Sequence, residues 1–288
     1  MRQKSDYLKQ NASISSFKSN DSWVILTDIE KRIKDKIEAV GTPLKDWDIN
    51  IYRGVLTGFN EAFIISGAKK EEILANCKSE DERTRTDELI RPILRGRDIK
   101  RYKYNFADLW LINTHNGIKE KGIKPIQVED FPSIKEHLDK YYPQLEKRQD
   151  KGDTPYNLRN CAYMEDFYKQ KLVYPETTQG AYFALDDKQM FIDKTCFMLI
   201  SKDSIYLQRI LSSKLYEYAY KNIFSSVELG EKGYQYNKHA LLELPIVNNA
   251  EEIKNIEVIN DEKEINNKIY QLYNITPEEI DFIEIINK

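Results

Sequence analysis

Between Asp48 and Ser201 the sequence is a succession of short β-like runs, INIYRG, AFIISG, RYKYNF, LWLINT, KLVYPE, AYFAL, MFIDK and CFMLIS, separated by Gly, Asn, Asp and Pro. Runs this short, closed by turn formers, predict a sheet-rich core. Two helical inserts interrupt it: one around SEDERTRTDELIRPIL, and one around FPSIKEHLDKYYPQLEKRQ, where Ile134 and Leu138 with Tyr141 or Tyr142 keep helical spacing up to Pro143. After Ser201 the pattern turns helical, and SIYLQRILSSKLYEYAYKNIF places Ile210, Leu211, Leu215, Tyr218 and Ala219 on one face. The chain closes with EKEINNKIYQLYNI and TPEEIDFIEII; Thr276 caps the second, Pro277 takes its first helical position and Glu279 completes a capping box. Upstream, the polar stretch NASISSFKSN reads as a linker before a short amphipathic helix, TDIEKRIKDKIEAVGTP, with Thr27 and Glu30 as its capping box and Ile29, Ile33 and Ile37 as its stripe. The expected fold class is α+β, a mixed β-sheet core with helical inserts and a helical C-terminal part. Three segments follow: a linker and helix over 1–44, the mixed-sheet core over 45–200, and the helical part over 201–288.

At 288 residues the chain is long enough to bury a substantial core in one large domain or two modest ones. A hydrophobic fraction of 41% excludes a disordered chain, and no apolar run approaches the ~18 to 20 residues that span a bilayer. The start, MRQKSDYLKQ, has no apolar signal core, so a cytoplasmic protein with no membrane partner is expected. Cys77, Cys161 and Cys196 lie far apart and point to neither a disulfide framework nor a zinc site. The net charge of −3 conceals an asymmetry: residues 250–288 hold ten acidic and four basic side chains, a balance of −6, which leaves +3 for residues 1–249. The main body is mildly basic, and local fields decide whether a polyanion docks.

Much chemistry is missing. There is no G-x-x-x-x-G-K loop, no G-x-G-x-x-G fingerprint, no H-E-x-x-H and no G-x-S-x-G. None of His115, His137 and His239 stands at metal-ligand spacing. No Pro-Pro dipeptide exists, so the Asn-Pro-Pro-Tyr loop of amino-methyltransferases is absent and methyl transfer is not done by this chain alone. Glu176, Asp186 and Lys188 loosely imitate the layout of a metal-dependent nuclease, but LDDKQM is the turn of an ordinary hairpin. No catalytic residue and no metal ligand is assigned.

Against that background stands IRPILRGRDIKRYKYNF, residues 90–106, with six basic side chains and one acidic. Read as a strand from Asp98 to Phe106, alternation puts Lys100, Tyr102, Tyr104 and Phe106 on one face and Arg101, Lys103 and Asn105 on the other. Arg91, Arg95, Arg97, Lys100, Arg101 and Lys103 are candidate phosphate contacts, joined by Lys151, Lys232 and Lys238. A solvated charged strand is the competing reading. Three further loops mix cations with amides and tyrosines: KRQDKGDTPYNLRNCAYMEDF, TTQGAYF and GEKGYQYNKH. Asn pairs bidentately with adenine and Arg with guanine, so Tyr156, Asn157, Arg159, Asn160, Thr178, Gln179, Tyr182, Tyr234, Gln235 and Asn237 are candidate base-reading residues. Loops of this kind fit base reading better than metabolite binding.

Taken in order, TPLKDWDINIYRGVLTGFNEAFII, IRPILRGRDIKRY, LWLINTHNG, YYPQLEKRQDKGDTPYNLRNCAY, KLVYPETTQGAYFALD and FIDKTCFML resemble the TaqI-like C-terminal specificity region of bacterial, type IIG-like restriction-modification adenine methylases, over about Trp23 to Val247. The resemblance implies a target-recognition domain that follows an adenine-methyltransferase domain in a bifunctional restriction and modification enzyme. The closing helices look like the helical spacers of type I specificity subunits. Against that family the chain lacks the methyltransferase and the nuclease, and is expected to be either an excised specificity region or a stand-alone specificity subunit. Double-stranded DNA and a methyltransferase or nuclease domain or subunit are the implied partners. No cofactor is expected in this chain; S-adenosylmethionine, and Mg, belong to the partner domains. The alternatives are a metal-dependent nuclease domain and a non-catalytic protein-interaction module using the acidic helical tail.

Overall fold

The computed structural model describes residues 26–225, 228–229 and 233–287; the stretch NASISSFKSN, Trp23 and Lys232 lie outside the described residues. The principal elements, in chain order, are α1 (Asp28–Val40), β1 (Asn50–Arg53), β2 (Ile64–Ser66), α2 (Gly67–Ala75), α3 (Glu80–Leu89), β3 (Ile90–Leu94), β4 (Ile99–Lys100), β5 (Lys103–Tyr104), β6 (Leu109–Ile112), α4 (Pro132–Asp139) and α5 (Tyr142–Lys147). They continue with β7 (Lys171–Pro175), β8 (Ala184–Asp186), β9 (Phe191–Ile192), β10 (Cys196–Ile200), α6 (Ser204–Leu211), α7 (Lys214–Ala219), α8 (Lys238–Leu242), α9 (Ala250–Glu257), α10 (Glu262–Leu272) and α11 (Pro277–Ile286). The fold is α+β. The chain divides into two units, one of Asp48–Thr178 with Tyr182–Gln208, the other of the described residues up to Trp47 with Gln179–Ala181 and those from Arg209 on.

The first unit is built on two four-stranded sheets. One, in the order β8-β7-β10-β1, is antiparallel throughout, with Leu199 opposite both Ile51 and Leu172. The other, in the order β9-β3-β6-β2, pairs β9 with β3 in parallel and the rest antiparallel, which makes it mixed. Strand β7 lies between two neighbours and all five of its residues are buried. Phe63, Ile93, Leu111, Ile134, Leu138, Val173 and Met198 are fully buried in one core, each contributing about 1.5 to 3 kcal/mol of burial. Phe167 and Phe191 stack within it at 4.5 Å.

Both helical inserts of this unit differ from their sequence expectation. The first helical insert ends at Leu89, and IRPIL is a strand, with Pro92 opposite Trp110. Proline disfavours the helical conformation of the residue before it and offers no N–H to a helix, so Arg91–Pro92 stays extended. The second insert is two helices, α4 and α5, because Tyr142–Pro143 starts a new one rather than ending the first.

The second unit is helical. Both arms of the α1 capping box are present, Ile33 and Ile37 are fully buried, and Gly41 closes the helix by donating to the Ile37 carbonyl. Thr276, Pro277 and Glu279 start α11 as the pattern predicts. Glu279 is almost fully buried and accepts from Lys36 at 2.6 Å as well as from the Thr276 backbone at 2.8 Å, so one carboxylate both caps α11 and ties it to α1. Ile210, Leu211, Leu215, Tyr218 and Ala219 are all buried, but the helix carrying them breaks at Ser212–Ser213, where Ser213 caps α7.

Candidate nucleic-acid interface

The basic stretch is a tight hairpin rather than one strand. Ile99 pairs with Tyr104 and Lys100 with Lys103 across a turn at Arg101–Tyr102, and Tyr102 takes a φ of 63°, in the left-handed region that L side chains rarely adopt. The expected alternation of faces is lost at that turn. The hairpin is anchored at both ends: at the turn Tyr102 N–H donates to the Phe183 carbonyl at 3.1 Å, and at the root Asn105 N–H donates to the Asp98 carbonyl at 2.8 Å and the Tyr104 hydroxyl to Asp186 at 3.0 Å. Arg95 is held by Asp98 through two bonds, Nε to Oδ2 at 3.0 Å and Nη2 to Oδ1 at 2.9 Å. Arg91 lies over the Tyr168 ring at 5.1 Å and donates to Gln189. Lys100 sits 5.6 Å from the centre of the Tyr182 ring, which brings two candidate residues together. Arg101 is half-buried. Arg97 and Lys103 are exposed, and neither makes an ion pair among the described residues.

Sequence reasoning placed Phe106 on the packed face of a strand. It is instead 42% exposed, beside exposed Lys103 and Asn105, resting edge-on against Trp110 at 5.6 Å. The Trp110 ring is itself covered by Lys70 at 3.7 Å. An outward aromatic ring of this kind offers a face on which another planar ring can stack. The run of polar residues around it, KYNFAD, was the available signal.

The loop after α5 is organised by Arg148, which is buried and donates to four backbone carbonyls: Thr57, Asp150 at 2.9 Å, Pro155 at 3.0 Å and Asn157 at 2.5 Å. Its guanidinium also faces the Phe63 ring at 4.5 Å, and desolvation pushes its pKa down to about 10. Asn157 is buried; its amide donates to the Ile126 carbonyl at 2.8 Å and accepts from the Thr154 hydroxyl at 2.6 Å, so it builds the loop from inside. Tyr156 is tied through its hydroxyl to Asp139 at 2.5 Å. Lys151 is exposed and donates to the Glu146 carbonyl at 2.6 Å. Arg159 is exposed and pairs with Asp150 at 3.1 Å, and exposed Asn160 accepts from Asn116 at 2.5 Å.

The remaining candidates are dispersed. Thr178 is buried, Gln179 exposed and Tyr182 half-buried. Tyr234 is buried in a ring cluster with Tyr220 and Tyr236, and the half-buried Gln235 uses its backbone carbonyl to accept from Tyr220 at 2.7 Å. Asn237 caps α8 by accepting from Ala240 N–H at 2.8 Å, while Lys238 is exposed. The nuclease-like residues have other work. Glu176 pairs with Arg53 at 2.5 Å; Asp186 is fully buried, paired with Lys171 at 2.5 Å and accepting from the Lys188 and Met190 backbone at 3.0 and 2.9 Å. Among the described residues no group of three His, Cys, Asp or Glu is arranged to hold a metal ion.

Arg97, Lys103, Arg159, Asn160, Gln179 and Lys238 thus stay outward, and the first four belong to the mixed-sheet unit, on the hairpin, the turn before it and the loop that Arg148 holds. Fold and loops together define an α+β domain that presents cations and amides at its surface. The chain belongs to the TaqI-like C-terminal specificity domains: that family's model matches residues 91–246, more than half of it. In fold it is similar to MmeI, a type IIL restriction-modification enzyme whose structure is known in complex with DNA, with a TM-score of 0.58 and 13% identity over 85% of this chain and 36% of that one. BpuSI, a type IIG restriction endonuclease, aligns with a TM-score of 0.49 and 15% identity over 82% of this chain and 27% of its own. The chain therefore spans about a third of MmeI. No helix among the described residues is long and apolar enough to cross a membrane.

Proposed function

We propose that this chain is the sequence-specific DNA recognition module of a bacterial restriction-modification enzyme, holding duplex DNA in register for an adenine methyltransferase, and a nuclease, in another domain or subunit. Membership of the specificity-domain family supports this reading, and the observation that carries it is the anchored hairpin with Lys103 exposed and unpaired, together with Arg97, exposed and unpaired in the turn just before it. Cations on a rigid edge meet phosphates without first breaking ion pairs of their own. Arg159, Asn160 and Gln179 supply the outward groups for base edges, and Phe106 an aromatic face. S-adenosylmethionine and magnesium belong to the partner domains, where the target adenine is extruded from the duplex. The module works in the cytoplasm, where the DNA is.

The test is a binding titration of the purified chain over random-sequence duplexes, at two salt concentrations, with and without magnesium. Enrichment of one short motif, affinity that falls steeply with salt and no cleavage are expected. Cleavage that requires magnesium would favour a nuclease instead, and affinity indifferent to salt would overturn the reading.

A further inference from the structure

A cavity of about 600 Å³ opens between the segments 116–125 and 153–162, inside the roughly 300 to 1,000 Å³ range of small-ligand sites. Its walls are set by the backbone. Ile118 and Ile123 bridge across a turn that Gly122 closes at a φ of 69°. Gly117, at 71°, lies where a Cβ would meet the Ile123 carbonyl at 2.3 Å. On the other wall a Cβ at Gly152 would strike the Asn116 amide oxygen at 2.4 Å, so the loop closes down directly on Asn116.

Asn116 is only 9% exposed and its amide is fully engaged: Nδ2 donates to Asp153 Oδ1 at 3.0 Å and to Asn160 Oδ1 at 2.5 Å, and its oxygen accepts from Asp153 N–H at 2.8 Å. These bonds orient their partners. Asn160 must turn its oxygen toward Asn116, which leaves its NH₂ as the outward group, and Asp153 keeps Oδ2 as a second acceptor. A fixed amide donor beside a carboxylate acceptor matches the edge of a nucleobase, where donors and acceptors also stand side by side. Pro125 and Ala162 add apolar surface to the same lining. Lys119 and Lys124 also line it, with Glu120 beside the first; neither lysine is in an ion pair among the described residues, whereas Lys121 between them is taken by Glu165.

We infer that this cavity is a nucleobase site, which takes one nucleotide with its base edge on Asp153 and Asn160 and its phosphate at Lys119 and Lys124. The nucleotide comes either from the bound duplex, as an extruded base other than the adenine taken by the partner domain, or from solution; the duplex source rests on the function proposed above.

Each of dAMP, dCMP, dGMP and dTMP is titrated calorimetrically into the full chain, and separately 2-aminopurine is placed in turn at each position of the enriched duplex. Ala162→Trp fills the cavity from an exposed position, Asn160→Ala removes the donor, and thermal melting verifies that both variants fold. Binding of a free mononucleotide that Ala162→Trp abolishes and Asn160→Ala weakens about tenfold supports a site for free nucleotides. A 2-aminopurine fluorescence rise on duplex binding, lost in Ala162→Trp, supports an extruded base. Duplex binding with neither signal overturns the cavity inference and leaves the DNA reading intact. Mononucleotide binding without duplex binding does the reverse, and neither kind of binding overturns both.

Discussion

Side chains of one chemical type do opposite jobs here according to which way they face. Asn157 and Asn160 are three positions apart, yet the first bonds the Ile126 carbonyl inside the loop and the second stands at the surface. Asn157→Ala should therefore lower stability by about 1 to 3 kcal/mol, the cost of an orphaned buried carbonyl, and leave base preference unchanged; denaturant melts and binding to cognate and scrambled duplexes measure the two effects. Arg95 and Arg97 differ in the same way, one clamped by Asp98 and the other exposed. Arg97→Ala and Lys103→Ala should each weaken binding to every duplex alike and reduce the salt slope by about 0.9. A loss confined to one sequence would assign them to base reading instead.

At the scale of elements the buried Lys171–Asp186 pair joins β7 to β8, and the Tyr104 hydroxyl adds the basic hairpin to the same carboxylate. Desolvation pulls the Lys171 pKa down and Asp186 opposes it, so the pair holds its charge only while both partners are present. Lys171→Met should cost roughly 3 to 5 kcal/mol by stranding the carboxylate, readable as a shifted denaturation midpoint. Tyr104→Phe should spare the core and weaken DNA binding through a looser hairpin. Local code made much of this scaffold readable in advance: Thr27 with Glu30 and Thr276 with Glu279 announce helix starts, and KLVYPE and CFMLIS announce central strands. The hairpin was hidden because its turn uses Arg101 and Tyr102, not glycine or asparagine, and alternating Lys and Tyr imitate a continuous strand. The site was only half legible for a related reason. An amide facing solvent and an amide stitching a loop have the same letter, and only the packing of Ile126, Thr154 and Ala240 against Asn157 and Asn237 separates them.

Across the whole molecule the protonation of two histidines couples acidity to folding. His115 accepts the Gly117 N–H at Nδ1 at 3.1 Å, and His137 Nε2 lies 2.9 Å from the Ala62 carbonyl. Desolvation lowers both from the usual 6.5, so the unfolded chain takes up protons first as the pH falls. The stability they support is complete above 6.5 and is lost as the pH falls through their lowered native values. Calorimetric melts from about pH 8 down to about pH 5 should show a falling midpoint, and His115→Asn combined with His137→Gln should flatten that slope. Arg148 has a different kind of reach, because every partner it grips, at Thr57, Asp150, Pro155 and Asn157, is a peptide carbonyl. All residue types carry that same oxygen, so the clasp is blind to the letters it fastens. Substitution along its outward positions therefore changes the surface the loop presents without loosening how it is held, and a new vocabulary there does not require a new fold.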